Sequence, residues 1–195
     1  MFAFSPENQV RVAEHLKKYP SDRSQSALLP LLDLAQRQNG GWLSYEALEA
    51  VANVLHIPVL KVHEVASFYS MYHLEPVGTY HIQVCGTTPC WLRGAESVRD
   101  ACKKHLGVGM KEVTGDGLFS LEEVECLGAC VNAPVVQIND TYFENLDEKS
   151  VVALLKTCAK EGLPALSQKS SEQEEKSIKK ASVKKTSTKK VKTDA

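Results

Sequence analysis

No stretch of the 195 residues approaches the ~20 consecutive apolar positions that a membrane span requires. The amino terminus, Met1-Phe-Ala-Phe-Ser-Pro-Glu7, has neither a basic region followed by an apolar run nor the Arg-rich, acid-poor character of a transit segment. The chain is therefore expected to work in a reducing, cytoplasm-like compartment without inserting into a membrane, where paired cysteines read first as metal or redox groups. A Rossmann glycine pattern and a phosphate loop are both missing, which argues against a nucleotide site. No Cys-x-x-Cys occurs, so a thioredoxin-type dithiol is excluded. Histidines beside the cysteines, which a Rieske centre needs, are also missing, as is plant-type ferredoxin spacing.

Apolar residues nearly run out after Leu163-Pro164. Residues 164–195 cannot bury enough surface to offset the entropy of ordering them, and a disordered, basic tail is expected there. Nine of its residues are lysines and four are acidic, so a local charge of about +5 stands against about -6 on the first 164 residues. No aromatic side chains are interleaved with those lysines for base stacking, and no nucleic-acid partner is expected.

What is present begins with helices. Ser5-Pro6-Glu7 supplies a hydroxyl cap, a proline in the first turn and an acid at the positive end, and Val10, Val12, Ala13 and Leu16 continue as an apolar stripe. A second helix is expected from Ser24 to Gln38, stopped by Gly40-Gly41. A third, capped by Ser44, should run from Tyr45 to His56, and a fourth after Ile57-Pro58 carries Val62, Val65, Ala66 and Phe68. At Pro76-Val77-Gly78 the period changes. Tyr80, Ile82 and Val84 alternate with His81 and Gln83 as a half-buried strand that delivers Cys85.

A helix over Trp91–Leu106 and a strand over Leu118–Glu125 follow. Next come a hairpin around Asn139-Asp140 and a closing helix over Leu146–Lys160 with Val151, Val152, Leu154 and Leu155 buried. The expected class is α+β: a helical bundle over residues 1–76, a small α/β domain with a mixed sheet over 77–163 that a thioredoxin-like arrangement fits, and the tail.

The chemistry lies in four thiols. Cys85-Gly-Thr-Thr-Pro-Cys90 and Cys126-Leu-Gly-Ala-Cys130 are close pairs separated by a long spacer. Each pair adjoins glycine or proline, as backbone wrapped around a small ion or cluster requires. On spacing alone, structural Cys₄ zinc stands beside an iron–sulfur cluster. Cys102 and Cys158 fall on apolar helix faces and read as buried structural thiols.

The segment from His81 through Cys85-Gly-Thr-Thr-Pro-Cys90 to Arg93, with Glu125-Cys-Leu-Gly-Ala-Cys-Val-Asn-Ala-Pro134, resembles the two-iron thioredoxin-like ferredoxin subunit of the proton-pumping NADH:quinone oxidoreductase, respiratory complex I. Ser26–Gln36 and Val65–Tyr72 resemble that subunit's amino-terminal bundle, so the likeness spans about residues 5–163. Related subunits occur in NAD-linked hydrogenases and formate dehydrogenases, and such a diaphorase module is the alternative assembly. A zinc-stabilised interaction module is the alternative of another class.

The resemblance implies one [2Fe-2S] cluster on Cys85, Cys90, Cys126 and Cys130, exchanging electrons with FMN. It also implies docking onto a partner subunit that holds FMN and binds NADH, among other peripheral-arm subunits on the cytoplasmic face of a bacterial inner membrane or the matrix side of a mitochondrial one. Any enzyme activity then belongs to the assembly. Trp91 and Arg93 are candidates for partner contacts, Asp116 reads as a turn residue, and His63 and His73 read mainly as surface or satisfied groups.

Overall fold

The computed structural model describes residues 2–163; the expected tail lies outside them. Ser5 caps α1 (Pro6–Leu16) by accepting the Asn8 N–H at 3.3 Å. The stripe read for α1 is narrower than expected, because Val12 is buried while Val10 is exposed. The second helix differs from the expected Ser24 start. Residues Ser21–Ala27 are 3₁₀-helical and α2 runs Leu28–Gln38. Pro30 explains the shift: it has no N–H for the carbonyl of residue 26 and its ring would collide with it, so the helix restarts with proline in its first turn. Ser44 caps α3 (Tyr45–Leu55), which His56 ends in a left-handed conformation with φ 55°. In α4 (Val59–Phe68), Val62 and Ala66 are buried, whereas Phe68 points outward and is 80% exposed. Leu31, Leu32, Leu48, Val51, Leu55 and Val62 centre the first core.

The second half is built on β1 (Tyr80–Cys85), the middle strand of a five-stranded sheet. The other strands are β2 (Glu112–Val113), β3 (Phe119–Val124), β4 (Val136–Ile138) and β5 (Thr141–Phe143), in the order β2-β3-β1-β4-β5. β1 pairs parallel to β3, from Tyr80 opposite Phe119 to Cys85 opposite Val124, and antiparallel to β4. The two-residue β2 escapes a sequence reading because it is too short to show alternation and both its residues are exposed.

The single helix expected over Trp91–Leu106 is two, α5 (Thr88–Leu92) and α6 (Ala95–Leu106). The break falls at Gly94, whose φ of 94° suits glycine and costs other residues strain. The hairpin sits where Asn139-Asp140 placed it, with Ile138 opposite Thr141. Asp147 and Ser150 form a capping box on α7 (Glu148–Glu161). On α7, Val151 and Leu155 are fully buried, while Val152 and Leu154 are only partly so. One sheet face, with Ile82, Val84, Leu121, Val136 and Ile138, packs against Val98 and Cys102 of α6 and Val151 and Leu155 of α7. No helix among the described residues is long and apolar enough to cross a membrane.

Candidate metal centre

Strand direction brings the four thiols to one end of the sheet. β1 and β3 are parallel, so the last residue of β1, Cys85, and the loop that leaves β3 with Cys126 emerge together. β4 runs the other way, so the segment that enters it starts at that same end, and Cys130 lies there in the short 3₁₀ turn Cys130–Asn132. Backbone bonds close the corner: the Cys85 N–H donates to the Val135 carbonyl at 3.1 Å and the Gly86 N–H to the Val124 carbonyl at 3.0 Å. Cys90 stands in α5, directly after this turn.

The thiols form two unlike pairs. Cys85 and Cys90 are buried, whereas Cys126 and Cys130 are exposed, their sulfurs 3.6 Å apart. Burial works against ionising Cys85, but the Thr87 hydroxyl, 3.3 Å from its sulfur, the N–H groups of Leu127 and Thr87, and Cys90 together hold its pKa below the ordinary thiol value. Its partner Cys90 is pushed up to about 11 by burial and by Cys85. The outer pair repeats the pattern. The Gly128 N–H, Cys130 and Thr87 lower Cys126, and Cys126 in turn raises Cys130. Within each pair, hydrogen bonds from the backbone favour the charged form of one sulfur over its neighbour, Cys85 over Cys90 and Cys126 over Cys130. Amide groups aimed at sulfur are what stabilise a bound cluster's charge and tune its potential. The donor set therefore fits a cluster held by four thiolates.

All four cysteines singled out from the sequence are brought together here, while Cys102 and Cys158 lie in the sheet core on α6 and α7. Sequence reasoning gave no role to Thr87, whose hydroxyl serves both Cys85 and Cys126. Its position between Cys85 and Cys90 was the available signal. Trp91, Leu92 and Val131 stand exposed on the segments that carry Cys90 and Cys130, Val131 by 96%. Arg93 is exposed as well. Asp116 accepts the Leu118 N–H at 3.0 Å, the work of a turn residue, and His63 is exposed on α4. Of the two readings for His73, surface or satisfied, the structure favours neither cleanly: it is part-buried, with His81 and Glu122 beside it.

Comparison with known proteins places this geometry. A protein of Rickettsia typhi that is a subunit of NADH-quinone oxidoreductase is 57% identical over 154 residues, covering 79% of this chain and 91% of that protein. The Dictyostelium discoideum protein named NADH dehydrogenase [ubiquinone] flavoprotein 2, mitochondrial, is 52% identical over the same share of the chain and 62% of its own length. Among solved structures, an air-oxidized NAD+-reducing [NiFe]-hydrogenase superposes with a TM-score of 0.59 at 21% identity, over 66% of this chain and 22% of that one, which is a likeness of fold. A family model described as thioredoxin-like [2Fe-2S] ferredoxin matches residues 12–159, and with relatives this close the chain belongs to that family.

Proposed function

We propose that Cys85, Cys90, Cys126 and Cys130 hold one [2Fe-2S] cluster and that the chain is the electron-transfer subunit of the NADH dehydrogenase module of a proton-pumping NADH:quinone oxidoreductase. The observation that carries the proposal is the convergence of these four thiols, two with lowered pKa values, in a chain 57% identical to a bacterial NADH-quinone oxidoreductase subunit. When bound, such a cluster accepts and releases one electron at a time. The chain's own residues set the conditions. Cys85 and Cys90 anchor it from a buried strand end and helix, Cys126 and Cys130 hold its outward side, and the Thr87, Leu127 and Gly128 donors offset the negative charge at sulfur.

The electron source in this reading is FMN on a partner subunit that binds NADH, on the arm that faces the cytoplasm or matrix. Exposed Trp91 and Leu92 after Cys90, and exposed Val131 after Cys130, support docking at this end of the sheet, where the outer thiols are also exposed. The hydrogenase likeness fits a diaphorase module too, but the high identity to quinone-linked subunits favours the first assembly.

Cys126→Ala is expected to lose most of the iron and sulfide and the visible absorption of the purified protein, whereas Cys102→Ala keeps them. Elemental analysis with absorption and paramagnetic resonance spectra checks this, and equal loss in both variants would show that the ligands are misassigned. Co-purification with a flavin-containing subunit tests the assembly.

A further inference from the structure

On the sheet face opposite α6 and α7, three metal-binding side chains meet with no partner adequate to all of them. They come from three elements: His73 from the loop after α4, His81 from the middle strand β1, and Glu122 from β3. The register places Ser120 opposite His81 and Glu122 opposite Gln83, so His81, Ser120 and Glu122 share this face. His81 Nε2 lies 3.4 Å from Glu122 Oε2, His73 Nδ1 lies 4.0 Å from the same oxygen, and one donor atom from each residue falls within 4.8 Å of the other two. We propose that His73, His81 and Glu122 form a site for a divalent transition-metal ion of the zinc type, separate from the four-cysteine centre.

The decisive group is His81. It is 8% exposed, and its Nε2 is the one buried side-chain nitrogen or oxygen among the described residues with no hydrogen-bond partner. A buried polar atom left unpaired costs free energy, and native structures rarely keep one without a use. The other ring nitrogen is occupied: Nδ1 is 2.7 Å from Ser120 Oγ, which also accepts the Gly78 N–H at 3.0 Å. In the tautomer in which Ser120 accepts the Nδ1 proton as well, Nε2 presents a lone pair on the side of Glu122 and His73. A metal-bound histidine is held in this way, its second nitrogen fixed by a hydrogen bond to the fold.

The opposite tautomer points an Nε2–H at Glu122, and His81 holds that carboxyl below its ordinary pKa, but the 3.4 Å contact is long for an N–H···O bond and is the one a bound ion would replace. Lys111 Nζ, 3.9 Å from the other carboxylate oxygen, partly balances Glu122 from a largely exposed stem and leaves Oε2 free.

The positions are fixed before any ion arrives. The His73 N–H donates to Gln36 Oε1 at 2.8 Å and its carbonyl accepts the Leu43 N–H at 2.7 Å. The His81 N–H donates to Asn139 Oδ1 at 2.8 Å. Zinc bonds of about 2.0–2.2 Å to nitrogen and oxygen need donor separations of about 3–3.5 Å, so His73 Nδ1, 4.0 Å from Glu122 Oε2, has to close on the carboxylate by about 0.5–1 Å. A cavity of about 500 Å³ adjoins the three residues and has room for a water as fourth ligand. Two imidazoles and one carboxylate form a set that takes zinc, iron or cobalt. Because His73 belongs to the helical half and the other two to the sheet, the ion would clamp the halves together.

The test is equilibrium dialysis of the full-length, cluster-loaded protein against zinc, with elemental analysis and zinc-edge X-ray absorption, both of which distinguish zinc from the cluster iron. One zinc per chain with unchanged iron, and a nitrogen/oxygen shell at about 2.0–2.1 Å, is expected. His73→Gln and the near-isosteric Glu122→Gln should each weaken zinc binding at least about tenfold while keeping iron. Absence of stoichiometric zinc at about 10 μM free metal, a shell of sulfur at about 2.3 Å, or undiminished binding in both variants would overturn the site.

Discussion

Six cysteines in one chain do two kinds of work, and the difference lies in what each sulfur faces. Cys102 is fully buried against the sheet, and burial alone pushes its thiol up to about 12. Cys126 is exposed, and the Gly128 N–H, Cys130 and the Thr87 hydroxyl favour its thiolate. Thiolate is the form that alkylates. In the cluster-free protein at pH 8, iodoacetamide should therefore modify Cys126 well before Cys102, with Cys102 reacting only after denaturation. Peptide mass spectrometry over time checks this, and equal rates would mean that the core around α6 opens readily.

The four cysteines that meet at the sheet end were legible in the sequence as a group because each pair is local, with turn residues between its members. His73, His81 and Glu122 were not, since nothing nearby in sequence joins them; only the parallel register of β1 and β3 and the return of the helical half over the sheet bring them together.

At the scale of elements, sequence patterns located nearly every helix and strand, and the differences have local physical causes. Pro30 delays α2, Gly94 splits the helix after Cys90, and β2 is too short to alternate. At the end of β1 and β3 away from the thiols, the two backbones approach closely. A Cβ on Gly78, just before β1, would lie 2.6 Å from the Ser120 backbone nitrogen in β3. Gly78→Ala is thus expected to force the two strands apart and cost about 1–3 kcal/mol. Gly115→Ala meets nothing within 4 Å and should be nearly neutral. Urea denaturation of the two variants separates these expectations; equal stability would show that β1 and β3 can part without penalty. At the far end of the sequence, Asp147→Ala removes the α7 cap and should cost about 1 kcal/mol in the same assay, since the Ser150 N–H loses its acceptor.

The described residues form two large cores joined by a polar seam, with a third, small cluster of Cys85, Cys90, Ala95, Ala133 and Val135 at the thiol end of the sheet. The helical core, centred on Leu31, Leu48, Val51 and Leu55, shares no residue with the sheet core of Ile82, Leu121, Val136 and Leu155. Between them stand the His73–His81–Glu122 contacts and a forked pair in which Arg37 Nη1 and Nη2 donate to Asp140 at 2.7 and 3.1 Å. Both partners of that pair are more than half exposed, so it is worth at most about 1 kcal/mol. Hydrophobic burial, which dominates folding free energy, is thus supplied within each half. It follows that residues 77–163 expressed alone should fold cooperatively, because cutting at the seam uncovers mainly the polar face of His81, Ser120 and Glu122. All four cysteines lie inside that fragment, with every N–H donor that serves them, so it should take up iron and sulfide in the same ratio as the full chain. Thermal unfolding followed by circular dichroism, together with iron analysis, decides the matter. A fragment that unfolds without a transition, or that folds but stays colourless, would mean that the helical half is needed to shape the sheet end on which the thiols meet.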